Sequence, residues 1–314
     1  MNTPTSTGPT TDAPTEAEDT PVTLPCVLTF NANDPVGAGG LAADLTTFAA
    51  ASCHGLSVVT GTYIRDTTEI RDHVALDEEA VDDQARCVLE DTDVVAFKVG
   101  FVGSPDNLGR VAEITSDYPD VPVIAYLANL SWWDELSMET YLDAMAELLL
   151  PQTTVLVGNH STLSRWLLPE WEADKPLGPR DLARAAAEHG TSYVLVTGFN
   201  APDQHLETHL ASPESVLATA RYERFEATFA GAGDTLSAAL TALLASGSDL
   251  QTATAEALTF LDQSLNGGYQ PGMGHAVPDR MFWAHDDDDD PDAADTEEGS
   301  DPITLDFPLD NTRH

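Results

Sequence analysis

Residues 229–247 read FAGAGDTLSAALTALLASG, placing one carboxylate, Asp234, directly behind Gly231, Ala232 and Gly233 at the mouth of an apolar helical stretch. The first turn of a helix has unpaired N–H groups and a partial positive charge. Small residues let another group approach that backbone closely. The stretch is therefore an anion cradle with a carboxylate in it, and two chemistries suit it. Asp234 can cap the helix and favour its dipole. It can instead take the proton of a hydroxyl attacking a phosphoryl group, while the N–H groups of 231–234 hold the developing charge. On local pattern alone both stand. A free carboxylate is a weak base for an alcohol, so in the second reading positioning and electrostatics supply most of the rate.

A second small-residue loop, Gly37-Ala38-Gly39-Gly40, opens an earlier helix. Neither loop is GxGxxG or a phosphate loop ending in GK[ST], and tight turns or close packing also explain such loops. Lys98, one of two lysines with Lys175, ends a strand and faces either the presumed site or a helix or the surface. His205-Leu-Glu-Thr-His209 puts three polar side chains on one strand face. That is not the helical zinc spacing, and it reads as an exposed strand face. Trp132-Trp133 suits a core edge or subunit interface better than a stacking platform. Cys26, Cys53 and Cys87 have no CxxC spacing and read as reduced thiols.

These residues hang on apolar runs that alternate with helix-period segments. Strands are expected at 26–31, 56–63, 94–100, 121–127, 153–159 and 193–198. Helices are expected up to Ala50, then over 77–89, 105–115, 139–149, 180–188 and 250–266, besides the one opening near Gly231. HLETHLA and ESVLATARYERFEA alternate like antiparallel strands. Continuously apolar strands between helices imply a mostly parallel sheet covered on both faces, with ligands beyond the strand carboxyl ends. The loops NDPVGAGG, TYIRDT, KVGFVGS, GNHST, TGFN and FAGAGD should then converge.

The formal charge is −40, from 53 acids and 13 bases. Such a surface repels nucleic acid and anionic membranes, so neither is an expected partner, and its self-repulsion is screened by salt. Residues 1–22 and 286–314 read as disordered acidic extensions around a domain at 23–285. The N-terminus has no secretory pattern and no run is long enough to span a bilayer, so a cytoplasmic protein is expected.

The GAGD helix start resembles the ribokinase-like superfamily of small-molecule kinases. Within it, LTFNANDPVGAGGLAADLTTFAAASCHGLSVVTG is similar to the N-terminus of hydroxymethylpyrimidine and phosphomethylpyrimidine kinases, which carry a DPSGGAG-like loop, then an acid and a Thr-Phe pair. Here these are Asp34 to Gly40, Asp44 and Thr47-Phe48. Lys98-Val99-Gly100, Asn159, Thr197-Gly198, GDTLSAAL at 233–240 and Gly274-His275 follow in order, so the resemblance spans about residues 26–283.

The resemblance implies a three-layer α/β/α sandwich with a mostly parallel central sheet. It implies phosphorylation of 4-amino-5-hydroxymethyl-2-methylpyrimidine and its monophosphate for thiamine synthesis, with ATP and Mg²⁺, by a homodimer. Asp234 would be the base and Gly231, Ala232, Gly233 and Asp234 the anion hole. Asn33, Asp34, Gly37, Gly39, Arg65 and Phe101 would contact substrate, and Asn159, Thr197 and Gly198 the nucleotide. The pyrimidine branch usually has Cys at Asp234, a glutamine at Arg65, and metal-side acids at Tyr126 and Thr162, so no side-chain metal ligand is assigned. Arg65 cannot accept a hydrogen bond as an amide does, but it could hold a substrate phosphate. A pyridoxal or pyridoxine kinase is the alternative within the class. A binding or regulatory protein on the same fold is the alternative outside it.

Overall fold

The computed structural model describes residues 23–171 and 176–285; the extensions expected at 1–22 and 286–314 lie outside the described residues. In chain order the elements are β1 (Cys26–Asn33), α1 (Gly40–Ala50), β2 (His54–Arg65), β3 (Ile70–Ala75), α2 (Glu78–Leu89), β4 (Val94–Val99), α3 (Pro105–Ser116), β5 (Val123–Leu127) and α4 (Glu135–Ala144). Then come β6 (Val155–Asn159), α5 (His160–Leu167), α6 (Pro179–Glu188), β7 (Tyr193–Ala201), β8 (His205–Ala211), β9 (Val216–Glu223), α7 (Ala232–Ala245) and α8 (Leu250–Asn266).

The strands form one sheet in the order β3-β2-β1-β4-β5-β6-β7-β8-β9. Pairing is parallel from β2 through β7, while β3, β8 and β9 are antiparallel additions at the two edges. The chain leaves β1 toward β2 on one side and returns as β4 on the other. Their carboxyl ends therefore flank a topological switch point, where open α/β sheets bind ligands.

Alternation along the strands sorts the two faces. Phe97, Val99, Val123, Ala125 and Leu156 join one core cluster with Leu108 and Val111 of α3 and Leu182 of α6. Ile124, Val155 and Val157 join the opposite cluster with Leu236 and Leu240 of α7 and Ala253 and Ala257 of α8. Burying each such leucine stabilises by roughly 1.5–3 kcal/mol. The expected three layers and mostly parallel sheet are present.

The helix α5 was not among the expected elements, and three further differences concern β3, α4 and β9. β3 was not expected because IRDHVA carries charges on a half-exposed edge and shows no apolar run. The segment expected as a helix at 139–149 starts earlier, at Glu135, and passes after Ala144 into a π turn over Met145–Leu149. The strand expected from 214 to 227 ends at Glu223, four residues short. The hairpin of β2 and β3 also reaches the far end of the chain: Gly274 N–H donates to Thr67 Oγ1 at 3.0 Å and His275 N–H to Thr67 O at 2.8 Å.

Candidate active site

Gly231 begins the cradle with φ +86°, a left-handed conformation that favours glycine. A Cβ there would also run into the Ala38 carbonyl, so the two small-residue loops touch at this point. Arg280, a buried side chain, clamps them. Its Nε donates to Thr235 Oγ1 at 2.9 Å, Nη1 to Gly37 O at 3.3 Å, and Nη2 to Ala38 O. Burial pulls this guanidinium below the ordinary arginine value, opposed by the charges of Asp234 and Asp44.

Asp234 lies in the first turn of α7, yet that helix has no side-chain cap hydrogen bond. The carboxylate turns away from its own helix. Oδ1 receives Lys98 Nζ at 2.7 Å and Asn31 Nδ2 at 3.1 Å, and Oδ2 receives the Gly40 N–H at 3.2 Å. A Cβ on Gly39 would lie 2.8 Å from Oδ2, so only glycine leaves the carboxylate its place.

Lys98 follows from the strand period: with Phe97 and Val99 facing one core, it must face α1 and α7. Its ammonium is fully buried and lies 2.8 Å from Asp44 Oδ1 as well as 2.7 Å from Asp234. Asp44, on α1, further accepts from Thr29 Oγ1 at 2.7 Å and Asn31 Nδ2 at 2.9 Å. Burial alone would lower the lysine, but Asp234 and Asp44 outweigh it and hold the ammonium above its ordinary value. Burial pushes the Asp44 carboxyl up, with Lys98 opposing and Asp234 adding. The Asp234 side chain keeps 15% exposure while Lys98 and Asp44 have none, so Asp234 is where this network meets the open site.

On the β2 side, Asp34 accepts from Val36 N–H at 2.9 Å and Gly39 N–H at 2.8 Å, and pairs with Arg65 Nη1 at 3.2 Å. Gly37, at φ +72°, closes this turn by donating its N–H to Asp34 O. The exposed Asn33 donates to Thr62 Oγ1 at 3.3 Å, tying β1 to β2. The Phe101 ring is buried among Tyr63, His73, Trp132, Trp133 and Tyr141, while its N–H donates to Asn31 Oδ1 at 3.1 Å. Trp132 and Trp133 thus fill a core edge, as expected.

On the other side of the cradle, Asn159, Thr197 and Gly198 line a cavity of about 210 Å³ with Ala232 and Gly233. Its remaining wall includes Leu206, Tyr222, Phe225, Leu258 and Leu261, an apolar slot suited to a flat ring. Asn159 caps α5 through Oδ1, and Gly198, at φ +83°, gives its amide the room it needs. Among the described residues no three His, Cys, Asp or Glu side chains converge to hold a metal ion. At the positions where the resemblance expects metal-side acids the chain has Tyr126 and Thr162, so neither offers a carboxylate there. In the HxExH stretch, His209 bonds Thr219 Oγ1 at 2.9 Å and lies 3.4 Å from Glu207, and His205 bonds Asp203 O at 2.8 Å.

The loops expected to converge do so on one anion cradle, with the cavity on one side and the Asp34–Arg65 pair on the other. The family model described as phosphomethylpyrimidine kinase matches residues 34–279, which carry Asp34, Lys98 and the cradle of residues 231–234. The chain belongs to the phosphomethylpyrimidine kinase family. It is, with that family, a small-molecule kinase. It is 29% identical over 266 residues to the hydroxymethylpyrimidine/phosphomethylpyrimidine kinase of Streptomyces coelicolor, covering 84% of this chain and 97% of the relative. The fold is similar to that of Bacillus subtilis pyridoxal kinase, solved as an ADP complex, with a TM-score of 0.75 and 21% identity over 84% of this chain and 100% of that one. It is also similar to phosphomethylpyrimidine kinase from Clostridium difficile, with a TM-score of 0.62 and 21% identity over 76% and 99% of the two chains. These likenesses show the ribokinase-like fold. Two residues of the site were missed from sequence as contributors to it, Asn31 and Arg280; Asn31 precedes the expected loop, and Arg280 lies outside any regular element.

Proposed function

We propose that this kinase transfers the γ-phosphoryl group of ATP to the hydroxymethyl oxygen of 4-amino-5-hydroxymethyl-2-methylpyrimidine, and then to the phosphate of the product, in thiamine synthesis. The observation that carries this is Asp234, set in the cradle of residues 231–234 between the apolar slot and the Asp34–Arg65 pair. The slot takes the nucleotide base, beside Asn159, Thr197 and Gly198. The acceptor lies against Asp34, Gly37, Gly39 and Arg65, with Asn33 and Phe101 shaping that wall.

In the first step the substrate hydroxyl gives its proton to Asp234 as its oxygen bonds to phosphorus and the bond to the ADP oxygen breaks. The backbone N–H groups of 231–234 hold the charge of the phosphoryl group in flight. Lys98 and Gly40 fix Asp234 in position, and protonation of Asp234 leaves Lys98 balanced by Asp44. In the second step the acceptor is a phosphate oxygen that already lacks a proton at neutral pH. Mg²⁺ would arrive with ATP, held by its phosphates and water. The protein is proposed to act in the cytoplasm, as a homodimer, on small molecules and without nucleic-acid or membrane partners; among the described residues no helix is long and apolar enough to cross a membrane.

The test is a coupled ADP-release assay with the hydroxymethylpyrimidine, its monophosphate, pyridoxal and pyridoxine. Turnover of both pyrimidines is expected. Turnover of pyridoxal or pyridoxine alone would replace the substrate, and turnover of none would favour a binding protein.

A further inference from the structure

Tyr126, the last but one residue of β5, lies on the face that carries Ile124 and meets α7. Its hydroxyl lies against Gly233: a Cβ built on that glycine would overlap the phenol oxygen. Cα–Cβ bonds of a helix tilt toward its N-terminus. The hydroxyl therefore sits on the side of Gly233 from which an anion reaches the N–H groups of the first turn. The ring is fixed from behind by Lys98, whose Nζ stands 5.7 Å from its centroid. Among the described residues the hydroxyl has no protein hydrogen-bond partner. Burial, with the charge of Asp234 adding to it, raises this phenol above its ordinary value, so at neutral pH it keeps its proton and can donate.

A neutral donor at this point has a physical advantage. The cradle sits beside a carboxylate, and a phosphoryl group arriving there meets that negative charge. A phenol adds a directed hydrogen bond without a further charge, in a site that needs no reorganisation when the transfer occurs.

We propose that Tyr126 is a catalytic residue, its hydroxyl donating to an oxygen of the transferring phosphoryl group beside the N–H groups of residues 231–234. The assignment rests on the kinase reading above. It makes Gly233 a requirement of the tyrosine as much as of the phosphate, since any side chain at 233 would expel the hydroxyl.

Tyr126→Phe tests this, because it keeps the ring against Lys98 and Gly233. With MgATP and whichever acceptor the wild type turns over, kcat should fall about 10²-fold, the scale of one lost donor in an oxyanion site, while both KM values stay within a factor of two or so. Affinity for ADP with tetrafluoroaluminate, a mimic of the group in flight, should fall comparably, and affinity for ADP alone should hold. A wild-type kcat in Tyr126→Phe overturns the assignment, as does a loss confined to KM. A wild-type protein that turns over none of the pyrimidine, its monophosphate, pyridoxal or pyridoxine overturns the proposed reaction, and the assignment with it.

Discussion

Lys98 Nζ stands 2.7 Å from Asp234 Oδ1 and 2.8 Å from Asp44 Oδ1, so one buried ammonium holds carboxylates from two different helices. The contact joins the proposed base to the core of the domain. It is a positioning device, and it fixes what should happen when each member is changed.

Asp234→Asn keeps the shape of the side chain and removes the proton acceptor. The hydroxyl-phosphorylating step should lose about 10²–10⁴ in kcat, the range of a positioned general base. The second step should lose less, because a phosphate oxygen brings no such proton. Separate assays with the two acceptors measure this, and equal losses would remove Asp234 from the role of base.

Lys98→Met leaves Asp44 and Asp234 facing each other with no cation between them. Breaking a buried pair from one side costs about 3–5 kcal/mol, which urea denaturation would read as a lower midpoint. The double change Lys98→Met with Asp44→Asn should recover part of that loss. A double variant no more stable than Lys98→Met would show that Asp44 contributes no unpaired charge.

The same lysine predicts a loss of stability in alkali. Its folded-state pKa is raised above the ordinary 10.5 by Asp234 and Asp44 in spite of burial. Its contribution is therefore complete below that value and is lost as pH rises through the folded-state value. The buried phenols of Tyr63, Tyr126 and Tyr141, also raised by burial, act with the same sign. Melting temperature followed from pH 8 upward should fall more steeply in the wild type than in Lys98→Met. Parallel curves would assign the alkaline slope to the tyrosines.

Arg65→Ala tests the acceptor side. The guanidinium is paired with Asp34 at 3.2 Å and its side chain is 9% exposed, beside the loop that holds Asp234. If Arg65 also receives the phosphate of the monophosphate substrate, its removal should raise KM for that substrate about tenfold or more, on the scale of a hydrogen bond to a charged group. The unphosphorylated substrate should be affected less. An unchanged KM for the monophosphate would exclude the contact.

The parallel strands were legible because their apolar runs are continuous, and the cradle because Gly-Ala-Gly before an acid has few physical uses. The choice between a cap and an inward-turned carboxylate was not legible, since it depends on Lys98 and Gly40, far away in sequence. The period of a strand tells which residues share a face, but not which face meets α7, so Lys98 stayed open until its neighbours were placed. β3 hid behind its charges. Arg280 left no signal because its partners include the backbone carbonyls of Gly37 and Ala38, and a carbonyl has no side chain to read.

That clamp joins positions 243 and 242 residues apart, nearly the two ends of the described domain. During synthesis the cradle of residues 231–234 is made before the arginine that locks it to the first loop. A growing chain thus carries its phosphate-holding turn for some fifty residues without the closing contact, and joins the two loops only once the domain is complete. Phosphoryl transfer becomes a property of the finished molecule, and a chain stopped before Arg280 should bind nucleotide in its slot yet turn over little acceptor, which a truncated variant in the ADP-release assay would reveal.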